Sequence, residues 1–422
     1  MEKENNPQFE KGISIMKISI LCVGDELLRG STTNTNLAKI GQLLGAAALF
    51  PVMEMSVKDA GESIIDGLGV LLSRSDVVIS TGGLGPTSDD VTKTVVAGYF
   101  GLKLEKNAKV ADRIKSFWSA RRLGKMPSSV LNQALVPQGA QILENRTGTA
   151  PGLVVKNVKS GKTVIMLPGP PHEMTPMFEE FVVPYLKSVS RDRLYTEVIY
   201  VSGIPESCVE EKAAPLVSSG SGLSIAYCAS PESIKVFLSG RKAGAVAEKM
   251  REIKKTLGEN LLLPGAKSIA EDIYLLLKKR KYKLALAESC TGGMIAAAVT
   301  EIPGSSEVFS GSAVVYSNDW KEKVLGVAKT TLEKYGSVSS RCAVEMADNV
   351  CVEYGADAGI AVTGIAGPGG GTELKPVGLV FIATRYVGKT VVEQYKFPGT
   401  RDMVRRRAVS SALNQLRRQI LN

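Results

Sequence analysis

Ser289 and Cys290 stand side by side in the run AESCTGG (287–293), between an apolar strand-like stretch (284–287) and a small-residue helix (294–299). At such a strand-to-helix turn the first helical N–H groups lack partners, so a nucleophile and an anion-stabilising site come together. The chain has one histidine, His172, far upstream. A Ser–His or Cys–His pair would need a base from another domain, which makes a lysine or tyrosine the better candidate. Lys321 and Tyr316, in VVYSNDWK (314–321), qualify if packing lowers a pKa or a hydrogen bond sets one of them beside Ser289. Backbone N–H groups at Thr291, Gly292 and Gly293 would hold the oxyanion of an amide hydrolysis. Cys290 is the rival nucleophile, but adjacent turn residues point in different directions, so only one faces a pocket. Taken alone, the run also reads as a Ser/Thr helix cap, Tyr316 as a strand-end aromatic and Lys321 as a solvated lysine.

Two further stretches accompany this motif: VTGIAGPGGG (362–371) running into KPVG (375–378), and FPGTRDMVRRRA (397–408). The segment 402–421 carries an apolar stripe at Val404, Ala408, Ala412, Leu416 and Ile420, the mark of a packed amphipathic helix. Arg405, Arg406 and Arg407 fall in its first turns, where the helix dipole disfavours cations by up to about 1 kcal/mol each. A substrate phosphate or a nearby carboxylate would offset that cost.

Four glycine- or proline-rich loops follow strands in the first part of the chain: GDELLRGSTTNTN (24–36), TGGLGPTSDD (81–90), ENRTGTAPG (144–152) and PGPPHEM (168–174). Ligands of open α/β sheets bind outside the carboxyl ends of the strands, so these loops are expected to converge on one pocket. Gly82, Gly83 and Gly85 allow backbone N–H groups to approach a phosphate, and Asp89 and Asp90 could hold a divalent ion or activate water. Asp25, Glu26 and Asp59 are further oxygen ligands or solvated turn residues; His172 is a pocket contact or structural, and Glu173 a ligand or a first-turn carboxylate.

These residues must be positioned by an α/β framework. Strands are expected at 18–23, 76–80 and 163–167, with helices after Asn34, Gly61 and Thr92, giving an α/β layered domain with a largely parallel sheet over 16–185. A small α+β spacer over 190–258 follows, with strands at 195–201 and 234–239 around a helix at 206–216. A second α/β domain occupies 265–422, with a helix at 268–279 and later strands near 313–316, 358–362 and 378–384. The length of 422 residues suits two or three domains, and 44% apolar with 22% charged residues describes an ordinary globular chain with no run able to span a bilayer. Six scattered cysteines without CxxC spacing argue against a zinc site and a disulfide framework. The net charge of +10 is dispersed, which disfavours nucleic acid and suits small phosphorylated substrates. The polar opening 1–15 is expected to be a disordered extension without a signal region, with Met16 a candidate start and a cytoplasmic location expected.

TGGLGPTSDDVT and PGPP resemble the molybdopterin-binding fold of the MogA and MoaB proteins, and with the GDELL…NTN opening they resemble the N-terminal domain of the CinA family. The resemblance implies an α/β/α fold and metal-dependent hydrolysis of ADP-ribose to AMP and ribose 5-phosphate. The ligand would lie against Asn36, Gly82, Gly83, Gly85, Thr87 and Gly169, and a divalent Mg, Mn or Co ion on Asp25, Asp59 or Asp90, with a monovalent cation as a further option. Molybdopterin binding stays open because the fold is shared. Residues 265–420, with AESCTGG, YSN, GSVS, GIAGP, KPVG and FPG.RD, resemble the nicotinamide mononucleotide deamidase (PncC) domain of CinA proteins. By that resemblance Ser289 is the nucleophile, Tyr316, Lys321 and Thr363 complete the catalytic set, and no cofactor is needed. Substrate contacts would come from Thr291, Gly292, Gly293, Gly364 and Gly367, with Arg401, Arg405 or Arg406 on the phosphate. A bifunctional pyridine-nucleotide salvage enzyme, assembled as a homodimer, is therefore expected. The alternative is a pterin- or nucleotide-binding protein that serves as a partner in DNA uptake or repair.

Overall fold

The computed structural model describes residues 16–122, 124–190, 194–230 and 233–422, so the expected extension at 1–15 lies outside the described residues. The chain forms two compact units, one ending at Thr196 and the other beginning at Glu197.

In the first unit, apolar strands that are buried on both sides force a layered arrangement. The six-stranded sheet has the order Pro51–Val57, Ile18–Val23, Val77–Thr81, Thr163–Leu167, Gly152–Lys156, Gln141–Leu143. The first four run parallel and the last two pair antiparallel. Ile18, Ile20 and Cys22 turn to one face, against the helices Thr35–Ala46 and Pro171–Met177, while Leu21 and Val23 turn to the other, against Gly61–Arg74 and Thr92–Tyr99. This is the α/β/α fold expected from the alternation of elements. A side lobe, not foreseen from the sequence, packs the helix Ala108–Ala120 against the short 3-10 helix Ser128–Ala134.

The second unit begins with a three-stranded sheet ordered Leu223–Ala229, Ile234–Gly240, Tyr195–Val201, covered by the helices Glu206–Ala213 and Ala243–Leu257. Leu223–Ala229 was not foreseen: its half-exposed alternation is interrupted by small residues. A five-stranded sheet follows, ordered Phe309–Val314, Leu284–Glu288, Ala358–Gly364, Leu379–Tyr386, Lys389–Lys396. Its first three strands are parallel and its last two antiparallel. The helices Ile269–Arg280, Met294–Thr300 and Arg401–Leu421 bury one face, and Asn318–Leu325 and Ser340–Glu353 the other. The stripe Val404, Ala408, Ala412, Leu416 and Ile420 is buried throughout. The strand expected near 313–316 ends at Val314, which frees Val315 and Tyr316 to present their carbonyl groups elsewhere. None of the helices among the described residues is long and apolar enough to cross a membrane.

Candidate functional site

Ser289 leaves the sheet where the strand Leu284–Glu288 ends, its N–H still donating to the Val362 carbonyl at 3.0 Å. Ser317 caps the helix Asn318–Leu325, whose first turn carries Lys321 inward; it is 1% exposed. Lys321 Nζ lies 3.0 Å from Ser289 Oγ, 2.7 Å from the Val315 carbonyl oxygen and 3.3 Å from that of Tyr316. Three directions around the nitrogen are thereby filled. Two end on acceptors that can only receive N–H, and the third ends on a hydroxyl able to donate or accept. Burial pushes the Lys321 ammonium below the ordinary lysine range. A neutral amine satisfies the same geometry by giving its two protons to the carbonyls and accepting the Ser289 proton on its lone pair. The arrangement is that of a nucleophile and its base.

The expected companions divide. Tyr316 reaches Lys321 through its carbonyl, whereas its exposed phenol oxygen accepts from Arg401 at 2.8 Å. Arg401 also donates to the Gly367 carbonyl, tying the tyrosine to the glycine loop. Thr363 is buried with its hydroxyl committed to the Ser337 carbonyl at 2.7 Å. Gly364 sits where a Cβ would lie 2.7 Å from the Leu379 carbonyl oxygen, so the chain passes too closely there for a side chain. Arg405 holds the motif from outside, donating to the Cys290 and Thr291 carbonyls at 3.0 and 2.8 Å. Arg406 pairs with Asp402 on the surface, and Arg407 donates to the Pro398 carbonyl. The crowded arginines of this helix are thus matched by carbonyls and one carboxylate.

One expectation is corrected. Gly292 N–H donates to the Ser289 carbonyl, and Gly293 N–H to the Glu288 carboxylate at 2.9 Å, so neither is available to an oxyanion. Glu288, fully buried, also receives Ile295 N–H at 3.1 Å and Ala296 N–H at 2.8 Å. It caps the helix Met294–Thr300 from inside, a role signalled in sequence by an acid just ahead of a helix start. Among the described residues the N–H of Thr291 meets no acceptor, and its buried hydroxyl has no partner. Cys290 is buried, and desolvation pushes its thiol up to about 11, which keeps it protonated and inert at neutral pH.

In the first unit the four loops do meet. A cavity of about 370 Å³ is walled by Glu26, Gly82, Gly83, Gly85, Asp59, Asp89, Asp90, Thr149, Gly169 and Glu173. Asn36 ties two of the loops together, donating to Thr81 Oγ1 and the Gly169 carbonyl. A Cβ on Gly82 would lie 2.2 Å from the Val23 carbonyl oxygen, and one on Gly83 would lie 2.1 Å from Thr92 Oγ1, so both glycines serve close approach. Thr87 donates its N–H and hydroxyl to Asp90, closing the loop as a turn. Asp25 is off the wall: it exchanges hydrogen bonds with Asp59 through their N–H groups and pairs with Arg29. His172 is exposed beside Glu173, whose carboxylate accepts from Asn145 at 2.6 Å. Asn145, missed in the sequence, also receives the N–H groups of Thr147 and Gly148 and so shapes that wall. Burial raises the Asp59 pKa, with the Glu26, Asp25 and Asp89 charges adding to it, and burial lowers Lys93 to about 8 against the pull of Asp90. A wall of this charge favours a cation. Among the described residues, however, no three His, Cys, Asp or Glu side chains stand close enough to hold a metal by themselves. The donor set suits an ion shared with ligand phosphates, as Mg²⁺ commonly is, and not a resident ion in a protein cage.

Comparison with known proteins agrees with this two-part geometry. Residues 19–188 match the family described as "Probable molybdopterin binding domain", and residues 266–420 match the CinA C-terminal domain. A relative from Caldicellulosiruptor saccharolyticus, named as a competence-damage inducible protein, is 41% identical over 413 residues, covering 96% of this chain and 100% of its own. A CinA-like protein of Dictyoglomus turgidum is 40% identical with the same coverage. This chain belongs to the CinA family. The solved structure of the competence/damage inducible protein CihA of Agrobacterium tumefaciens is 40% identical, with a TM-score of 0.36, and covers 36% of this chain and 94% of that one. CinA membership accounts for the order of the parts, a molybdopterin-binding-like α/β/α domain first and the CinA C-terminal domain last.

Proposed function

We propose that this CinA protein is a bifunctional pyridine-nucleotide hydrolase whose C-terminal domain converts nicotinamide mononucleotide and water to nicotinate mononucleotide and ammonia. The observation that carries the reading is the buried Lys321 amine 3.0 Å from Ser289 Oγ, with its other two directions held by carbonyls. Ser289 Oγ attacks the carboxamide carbon as its proton passes to Lys321 Nζ. The Thr291 N–H, unpaired at the turn, faces the developing oxyanion. Collapse breaks the C–N bond, and Lys321 returns the proton to the departing ammonia. Water, deprotonated by the same amine, then cleaves the acyl-serine and restores the hydroxyl. Arg401, bridging Tyr316 and the Gly367 loop, is the arginine whose position suits the substrate phosphate.

The N-terminal cavity is read as an ADP-ribose pyrophosphatase site. Its glycine loops receive the pyrophosphate, and Asp59 and Asp90 offer oxygens to a divalent ion that would polarise the phosphoryl group. Asp25 then orients Asp59.

Ammonia release from nicotinamide mononucleotide, by wild type and Ser289→Ala with nicotinamide as the control substrate, tests the deamidase. Release that needs both the substrate phosphate and Ser289 is expected. A Ser289→Ala enzyme of near-normal rate would refute the nucleophile, and an inactive, folded wild type would refute the activity.

A further inference from the structure

The N-terminal cavity has one wall that none of the four strand-end loops supplies. Gln133 comes from the 3-10 helix Ser128–Ala134 of the side lobe, lines the cavity and is 2% exposed. Its Nε2 donates to the Leu84 carbonyl, within TGGLGP, at 3.3 Å. That bond fixes which way the amide points, since the opposite orientation would set two acceptors against each other. Its Oε1 is therefore turned away from Leu84, and it is buried with no hydrogen-bond partner among the described residues. The segment is not free to swing: the neighbouring Asn132 carbonyl accepts from the buried Lys93 amine, on the helix that follows the glycine loop.

A buried acceptor without a donor is costly and calls for one. The other polar groups on this wall are mainly carboxylates and backbone, so none of those carboxylates supplies a proton to Oε1 when ionised. We infer that Gln133 is a specificity-determining residue of the N-terminal site, its Oε1 accepting a hydrogen bond from a hydroxyl or amino group of the bound nucleotide. The inference rests on the reading of this cavity as the ADP-ribose site. The glycine loops hold the phosphates, which every nucleotide carries, and do not distinguish one nucleotide from another. Gln133 does, because a site with a fixed buried acceptor rejects a ligand that lacks the matching donor. The donor belongs either to the ribose, as a hydroxyl, or to the adenine, as the 6-amino group.

The test is equilibrium binding to the full chain by calorimetry. The probe is an ADP-ribose analogue in which a methylene replaces the bridging pyrophosphate oxygen, so that nothing is cleaved. Its 6-oxo and adenosine 2′-deoxy forms are measured beside it. Gln133→Met keeps the length and removes both hydrogen-bonding groups; it is expected to weaken the parent probe about 10- to 100-fold, the range for an unmet buried donor. In wild type, a comparable loss for the 6-oxo form assigns the donor to the base, and a loss for the deoxy form assigns it to the sugar. Whichever form is weakened in wild type is expected to bind Gln133→Met no worse than the parent does. If Gln133→Met does not fold, Gln133→Asn, which retracts the amide by one methylene, gives the same readout. Parent binding within twofold of wild type in a folded variant overturns the assignment. Failure of wild type to bind the parent probe overturns the ADP-ribose reading itself, which separates the two failures.

Discussion

The substitution Glu288→Gln isolates what a buried charge contributes to the catalytic turn. The Glu288 carboxylate receives N–H groups from Gly293, Ile295 and Ala296 at 2.9, 3.1 and 2.8 Å, and Ser312 Oγ lies 3.5 Å away. An amide of the same shape retains one acceptor oxygen. With that oxygen on Gly293 and Ile295, its NH₂ group must face the Ala296 N–H, and one charge-assisted bond is lost. Such a bond is worth about 1.5–3 kcal/mol when buried, and the charge at the helix N-terminus adds roughly 0.3–1 kcal/mol. The C-terminal domain is thus expected to lose about 2–4 kcal/mol. Trp320 lies in that domain and Trp118, the only other tryptophan, in the first unit, so a Trp118→Phe background lets Trp320 fluorescence follow urea unfolding of the relevant part alone. Turnover should fall as well, because the same N–H groups set the turn that carries Ser289 and Thr291. If Glu288→Gln unfolds within about 0.5 kcal/mol of its parent, a margin typical of neutral surface changes, and releases ammonia at the parental rate, the argument from buried charge is wrong.

Two further outcomes follow from the titrating groups of the same site. Because burial lowers the Lys321 pKa, its neutral form must be present below the usual lysine range; kcat/KM for ammonia release should fall as pH drops through that lowered value and level off above it. Between the lowered folded value and the ordinary unfolded one the unfolded chain binds more protons, so stability should rise with pH across that window, and Lys321→Met should abolish both the activity and this stability slope. Cys290, held protonated with a pKa of about 11, should be dispensable: Cys290→Ala is expected to retain most of the turnover, and brief thiol alkylation at neutral pH should leave wild type active, a rate loss above about 100-fold in either assay pointing instead to the thiol as nucleophile.

The layered architecture and the loop positions were legible before any tertiary structure, because they follow from local periodicity. Doubly buried strands such as Ile18–Val23 and Leu284–Glu288 are apolar runs that end in glycine-rich turns, and the stripe from Val404 to Ile420 announces its helix. Less was legible where strands are short or half-exposed, as with Leu223–Ala229 and Lys389–Lys396, since their patterns resemble those of loops. The sequence by itself also determined which residue types could act: a serine and a thiol on one turn, with lysine and tyrosine as possible bases and no histidine nearby. Only the tertiary structure decided among them. Burial, which silences Cys290 and lowers Lys321, is set by elements packing from distant parts of the chain. Hydrogen-bond partners are likewise set across elements, and they turn the Tyr316 phenol to Arg401, give Gly293 N–H to Glu288 and bring Gln133 to a cavity formed by loops far from it in sequence. Spacing along a chain fixes which face a residue occupies, whereas the dielectric around it and the group opposite it belong to whatever packs there.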